Sequence, residues 1–299
     1  MALPPLRPLG FGEILDGAFT LYRRNFVTFI LTALIPTAVM IVGFVVLGGG
    51  FVAAATTDDP TALIGAAFGG LMLLGAVAIA AVLIMWGGLT REAAQSYTGQ
   101  PTSVGDGMRA GLRAALPLLG SMFLIGIGGM VAFFAVALLG GILIGIFSSM
   151  GGAAAVVGMF LMFVVVMAAY LGIIGLLFAV GPAIVVEGAG PLEALERSFT
   201  LARGALGRVI GLMLVTILIT YLPMMAVLAF TGGFAQMMNP QALPTPGQFI
   251  TQQVLSMGVG ILTTPFMVAV IVLLYFDRRV RTEALDVQMM TDQLAVAGD

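Results

Sequence analysis

Six long apolar stretches dominate the pattern of polar and apolar positions along this chain. They run roughly over residues 25–51, 62–89, 116–147, 153–186, 209–230 and 249–276, and none contains Asp, Glu or Arg. Each is longer than the roughly 20 residues that a helix needs to cross the hydrocarbon core of a bilayer. Only helices and closed barrels satisfy the backbone in lipid, and the stretches lack the alternation of barrel strands. The pattern therefore predicts an all-α polytopic membrane protein with six transmembrane helices.

The charged positions in the connecting segments are distributed unevenly. All 12 basic residues are arginine: three precede the first stretch, three lie between the second and third, three between the fourth and fifth, and three follow the sixth. The loops at about 52–61, 148–152 and 231–248 contain none. Because positively charged loops remain in the cytoplasm, we expect three hairpins with both termini in the cytoplasm.

Two segments that precede apolar hairpins resemble each other closely. Residues 13–23 (EILDGAFTLYR) and 193–203 (EALERSFTLAR) share six of eleven residues at an offset of 180, and residues 103–113 (SVGDGMRAGLR) keep the acid and the arginine at half that offset. Such a period is the signature of a repeat, and we predict a pseudo-threefold repeat of about 90 residues. The predicted boundaries are 1–299 for a single membrane domain, about 10–100, 101–190 and 191–281 for the repeats, and 282–299 for a cytoplasmic tail.

Each repeat is expected to begin with an amphipathic helix at the cytoplasmic membrane interface. Helical spacing places apolar residues of the first copy on one face, and such a helix lies with that face toward the lipid. In the middle copy, Ser103 and Asp106 have the spacing of a helix N-cap. The apolar stripe of the first copy comprises Ile14, Leu15, Ala18, Leu21 and Tyr22.

The composition excludes several classes of function. Hydrophobic residues make up 60% and charged residues 9% of the chain, against about 25% charged residues in a soluble domain. His, Cys and Lys are absent, which excludes Ser-His-Asp and Cys-His nucleophiles, thiolate or imidazole metal sites and lysine Schiff bases. A net charge of −2 gives no basic field for nucleic acid. We therefore predict no cofactor, no metal, no nucleic-acid partner and no catalytic residue.

The acid and arginine that recur in each repeat are the candidate binding residues. Around a threefold axis on the cytoplasmic face, three arginines could bind an anionic lipid headgroup or a partner protein, although arginine beside a span also acts as a topology signal and anchor. The best interpretation is a non-catalytic accessory or scaffold protein that binds membrane lipids or a membrane protein partner in this way. The candidates are Arg23, Arg113, Arg203, Asp16, Asp106 and Glu196.

Two rival functions stay open. A transporter or flippase for a neutral or amphipathic solute could use prolines and threonines within the spans, because broken helices build transport sites at mid-membrane. A polar cavity at mid-membrane would favour it, and an intramembrane charge, typical of ion-coupled transport, is not visible. A membrane enzyme would need two acids within reach of one another, and Glu187 with Glu193 or Glu196 is the candidate set; Glu187 is also the candidate pocket residue. For the transporter alternative, the prolines are Pro36, Pro182, Pro223 and Pro265, and the threonines are Thr32, Thr37, Thr220, Thr263 and Thr264.

Small residues inside the spans predict where helices approach one another. The GxxxG spacing lets two helix backbones come close, and it occurs at three places. They are Gly65/Gly69, Gly141/Gly145 and Gly207/Gly211.

Three segments resemble a known family. They are RPLGFGEILDGAFTLYRRNF (7–26), PAIVVEGAGPLEALERSFTLARG (182–204) and LLYFDRRVRTEALD (273–286). They are similar to the bacterial glycerophosphoryl diester phosphodiesterase membrane-domain family, in some members of which the membrane region precedes a soluble phosphodiesterase barrel. The resemblance implies that this chain is the membrane region without the phosphodiesterase domain, whose histidines it lacks. It implies a location in a bacterial inner (cytoplasmic) membrane and an association with lipids, but no particular site residues.

Overall fold

The computed structural model describes residues 7–56, 60–239 and 245–284, and these ranges are helical without a β-strand. A short helix at Val180–Pro182 continues directly into a π-helical turn at Ala183–Glu187. The helices are α1 (Phe11–Arg24), α2 (Phe26–Ala55), α3 (Pro60–Tyr97), α4 (Val104–Ser149), α5 (Gly152–Leu177), α6 (Val180–Pro182), α7 (Pro191–Ala202), α8 (Leu206–Phe230), α9 (Gly233–Met238) and α10 (Pro246–Glu283). Most of the predicted tail lies outside the described residues.

Six of these elements are long and apolar enough to span a membrane, which confirms the predicted class of fold. They pair as the hairpins α2–α3, α4–α5 and α8–α10. Helix α4 has 46 residues and is therefore about 69 Å long, more than twice the roughly 30 Å of a hydrocarbon core. The outward faces of the spans expose large apolar side chains such as Phe123, Phe133 and Phe160, as lipid-facing surfaces do. The protein is a multi-pass membrane protein.

The helices α1 and α7 begin in the same way, 180 residues apart. The carboxylate of Glu13 accepts a hydrogen bond from the Gly10 N–H at 2.6 Å, and that of Glu193 accepts one from the Gly190 N–H at 3.2 Å. The hydrogen bond from Gly10 lowers the pKa of the Glu13 carboxyl group, and the hydrogen bond from Arg7 lowers it further. The shared N-terminal geometry is what a repeat of the outer pair predicts; the threefold repeat itself stays a prediction.

The apolar stripe of α1 packs on protein rather than on lipid. Ile14, Ala18 and Leu21 are completely buried, and α1 lies chiefly against α10. The expectation that this stripe faces the bilayer is wrong, because the arginine-bearing end of α10 offers it an apolar surface. Helices α1 and α7 lie together with the arginine-bearing ends of α3, α4, α8 and α10. We call this region the arginine end.

The middle repeat has no separate interfacial helix, contrary to the prediction. Residues 104–113 are the first turns of α4, which continues into the span without a break. The predicted N-cap is confirmed, since the Ser103 Oγ accepts a hydrogen bond from the Asp106 N–H at 3.1 Å. Pro117 lies inside the helix but does not end it. In the outer repeats, by contrast, Asn25 and residues 203–205 separate the short helix from its span.

Helices α3 and α4 cross in close contact at the arginine end. A Cβ at Gly111 would overlap the backbone carbonyl oxygen of Ile84, and one at Gly87 would lie 2.9 Å from the Gly111 Cα. A Cβ at Gly107 would overlap the carboxylate of Glu92. The predicted GxxxG contacts are wrong in most cases, since no atom of the described residues lies within 4 Å of a Cβ at Gly65, Gly69, Gly141, Gly145 or Gly207.

Asp277, near the end of α10, joins three parts of the arginine end. Its buried carboxylate accepts hydrogen bonds from the Leu9 N–H at 2.8 Å and from Arg281 Nε at 2.9 Å. Its Oδ2 lies 3.2 Å from Arg208 Nη2. Arg208 and Arg281 both donate to the Leu9 carbonyl as well. This Asp277 network holds the segment before α1 against α8 and α10.

Candidate functional site

A cavity of about 620 Å³ opens at the arginine end between α3, α4 and the π-helical turn. Arg91 comes from α3, and Arg109 and Arg113 come from one face of α4 because they are four residues apart. Asp106 and Gln95 also line it. We call it the arginine cavity, defined by its three arginines. Three cations from two helices face one carboxylate, so the cavity attracts anions.

The geometry around Asp106 leaves two arginines for a ligand. Asp106 Oδ2 accepts a hydrogen bond from the Ser103 hydroxyl at 2.8 Å, and Oδ1 lies 3.4 Å from Arg109 Nη1. Arg109 therefore carries the local counter-charge of Asp106. Arg91 and Arg113 have no carboxylate of the described residues within ion-pair distance, so their guanidinium groups are the stronger candidates for binding an anion.

The third wall of the arginine cavity is the π-helical turn and the two residues after it. Helix α5 ends at Leu177, and after α6 the chain enters the turn, which is followed by Gly188 with a φ of 73°. That left-handed conformation favours glycine. Ile184, Val185, Gly188 and Ala189 line the cavity. Single π-helical turns frequently lie at functional sites, and here the turn closes the cavity opposite the two arginine-bearing helices.

Glu187 does not belong to the arginine cavity, although the sequence made it the candidate pocket residue. Its carboxylate pairs with Arg197 Nε at 2.9 Å, lies 3.4 Å from Arg279 Nε, and accepts a hydrogen bond from the Tyr275 hydroxyl. Arg197 also pairs with Glu283 at 2.5 Å. Hydrogen bonding to Glu187, with a smaller contribution from Glu283, raises the pKa of Arg197 against the effect of burial. This cluster of Glu187, Arg197, Arg279 and Glu283 links α7 to α10, and each of its charged side chains has an oppositely charged partner.

The three acids proposed for a membrane enzyme have different surroundings. Glu187 is neutralised by arginines, and Glu193 caps the start of α7. Glu196 is exposed on α7. Among the described ranges, no group of three or more acidic side chains is placed to hold a metal ion.

The structure brings together only part of the predicted arginine set. Arg113 and Asp106 share the arginine cavity. Arg23 lies 5.9 Å from the Phe19 ring centroid on α1. Arg203 is exposed at the end of α7, and Asp16 is exposed on α1. The recurring positions thus have different neighbours.

Sequence reasoning missed four residues at or beside the site. Arg91 and Arg109 replace the predicted outer arginines, and the four-residue spacing of Arg109 and Arg113 is the signal that could have revealed the pair. Glu92, on α3, is completely buried, and its Oε1 accepts a hydrogen bond from Thr32 at 2.5 Å. Its Oε2 and the Oε1 of Gln95 are buried without a hydrogen-bond partner in the described part of the chain.

The fold and this cavity define a multi-pass helical membrane protein with a basic cavity at one end of its bundle. The chain belongs to the family described as a domain of unknown function, DUF7847, whose model matches residues 32–278. No curated protein and no solved structure matches the chain. The resemblance to the glycerophosphoryl diester phosphodiesterase membrane domain stays a prediction.

Proposed function

We propose that this protein is a non-catalytic accessory or scaffold protein of the bacterial inner membrane that binds anionic lipid headgroups at its cytoplasmic face. In this proposal the arginine end is cytoplasmic, because all 12 arginines fall in segments on one side of the six spans. The observation that carries the proposal is the arginine cavity with its three guanidinium groups. A phosphate is a fitting ligand because a guanidinium can donate two parallel hydrogen bonds to it.

The position of the cavity supports a lipid rather than a dissolved anion. Arg91 comes directly after the apolar stretch of α3, and Arg113 lies directly before that of α4, which places their side chains at the depth of lipid headgroups. Anionic lipids of a cytoplasmic leaflet attract each nearby basic side chain by about 1 kcal/mol. An acidic partner protein would use the same charges, and direct measurement of bound lipid separates the two ligands.

The double variant Arg91→Gln/Arg113→Gln should lose anionic lipid. Native mass spectrometry of protein extracted gently with its own lipids measures the occupancy, and titration with phosphatidylglycerol in nanodiscs measures the affinity. We expect at least about a tenfold weaker affinity, since a hydrogen bond to a charged group contributes about 1.5–3 kcal/mol.

The matched control removes two arginines of the same end that lie outside the cavity. Arg23→Gln/Arg203→Gln has the same charge change and should keep the lipid. Equal retention of lipid in both double variants would refute the proposal. Equal loss in both would mean that general surface charge, and not the cavity, binds the lipid.

The alternative of a transporter or flippase is favoured by a second observation. A cavity of about 200 Å³ lies midway along α8 and α10, and Thr220, Ser256 and Thr263 line it. It shares Gly260 and Thr264 with a neighbouring cavity of about 150 Å³ beside Pro36. Hydroxyl groups in cavities within the spans are the feature that this alternative needs.

Glycerol uptake into liposomes tests this alternative. If the cavities conduct a neutral solute, purified protein should accelerate uptake, and Thr264→Val should slow it several-fold by removing a hydroxyl from both cavities at constant shape. If uptake is no faster than in empty liposomes, the protein does not transport glycerol, and the lipid-binding proposal stands without it. Tyr170→Phe, on the exposed face of α5, removes a hydroxyl away from these cavities and serves as the control.

A further inference from the structure

A second cavity, of about 410 Å³, lies beside the arginine cavity within the helical bundle. It is bounded by α3, α4, α5 and the α6–π-turn segment, with one residue each from α8 and α10. Among the described residues that line it, Thr90 and Ser121 carry the hydroxyl groups, and the Ser121 hydroxyl donates to the Pro117 carbonyl of its own helix at 2.8 Å. The apolar side chains in its wall include Trp86, Leu118, Ile125, Ile174, Phe178 and Val185. We call it the apolar cavity.

The two cavities adjoin on all three walls. Val185 of the π-helical turn lines both of them. On α3, Thr90 of the apolar cavity is followed by Arg91 of the arginine cavity, and on α4, Pro117 of the arginine cavity is followed by Leu118 of the apolar cavity. A phosphate at the arginines therefore has an apolar compartment directly next to it, on the side of the membrane core.

We propose that the apolar cavity holds an acyl chain of the lipid whose phosphate binds in the arginine cavity, so that the ligand is an intact anionic glycerophospholipid. This inference rests on the proposed function and specifies its ligand. The order of charged and apolar compartments matches the order of phosphate and hydrocarbon in such a lipid. The volume lies in the range of about 300–1,000 Å³ that small-molecule ligands occupy.

Filling the apolar cavity with a side chain tests the inference. In the full-length protein, Ile125→Trp places an indole in the cavity from α4, whereas Ile127→Trp makes the same change on the same helix at a position 44% exposed and outside the cavity wall. Ser121→Leu fills the cavity from a second position and covers the case in which Ile125→Trp does not fold. Thermal unfolding in detergent identifies the variants that fold.

The probes are long-chain phosphatidylglycerol, its dihexanoyl form and glycerol 3-phosphate. The wild-type protein should bind the long-chain lipid at least about tenfold more tightly than either short probe, since each buried methylene group adds to the affinity. Ile125→Trp or Ser121→Leu should abolish most of this difference, and Ile127→Trp should preserve it.

Two outcomes separate this inference from the proposed function. Equal affinity for all three probes, or unchanged long-chain binding in both cavity-filling variants, would overturn the acyl-chain compartment while leaving headgroup binding intact. Loss of long-chain binding in the filled variants, with dihexanoyl binding that still depends on Arg91 and Arg113, would establish both. Binding that is insensitive to those arginines would instead reject the proposed function.

Discussion

Gly111→Ala should strongly destabilise the protein, because the added Cβ meets backbone atoms of the neighbouring helix. It would overlap the Ile84 carbonyl oxygen and lie 3.1 Å from the Gly88 N. Neither atom can rotate away as the end of a side chain could, so α3 and α4 must separate. Overpacking of this kind costs typically about 1–3 kcal/mol. We expect a lower thermal unfolding midpoint in detergent and weaker binding of anionic lipid, since the same two helices carry the arginine cavity.

The control for this change is Gly105→Ala, in the first turn of the same helix. In the part of the chain that the structure describes, nothing lies within 4 Å of a Cβ at Gly105, and alanine is a better helix former than glycine by about 1 kcal/mol. This variant should therefore unfold at the same temperature as the wild type or slightly above it. A Gly111→Ala protein as stable as Gly105→Ala would show that α3 and α4 are not in backbone contact.

Asp277→Ala should cause the second large loss of stability. The substitution leaves the Leu9 N–H without its acceptor and leaves Arg208 and Arg281 without the carboxylate that neutralises both. Removing one partner of a buried ion pair costs typically about 3–5 kcal/mol. The side chains of Arg208 and Arg281 are about one third exposed, which allows water to compensate in part, so we expect the lower end of that range.

Two measurements follow the Asp277 variant. The thermal midpoint should fall, and the Leu9 amide should exchange its proton for deuterium faster than in the wild type, because its acceptor Asp277 is gone and the segment before α1 is no longer held there. Asp16→Ala, which removes an exposed carboxylate from α1, is the control and should change neither quantity. Unaltered exchange of the Leu9 amide and an unaltered midpoint in Asp277→Ala would mean that the network does not hold this segment.

The candidate site was only partly predictable from the sequence. The recurring segments predict Arg113 and Asp106 as binding residues, and both line the arginine cavity. The same segments predict Arg23 and Arg203, which lie outside this cavity. A similarity in sequence does not determine the neighbours of each segment: the middle segment is part of the continuous α4, while the outer segments are separate helices. Arg91 joins the site only through the crossing of α3 and α4.

Glycine spacing shows the same limit. The predicted GxxxG pairs lie on helices, but at Gly65 and Gly141 a Cβ would meet nothing within 4 Å. Gly107 and Gly111 have the same four-residue spacing and do lie in a tight crossing. The spacing shows that a helix has a flat face; it does not show whether another helix is packed against that face.

The sequence by itself determined the six spanning helices, their pairing into hairpins and the one-sided distribution of arginine. These properties depend on the transfer of about 20 neighbouring residues into lipid and on the charge of short loops, and both are local. Only the tertiary structure decided that α1 is buried against α10, that Glu187 is paired with arginines, and that Arg91, Arg109 and Arg113 share a cavity beside an apolar compartment. Those outcomes depend on contacts between residues that are distant along the chain, and within a uniformly apolar bundle hydropathy does not distinguish one helix neighbour from another.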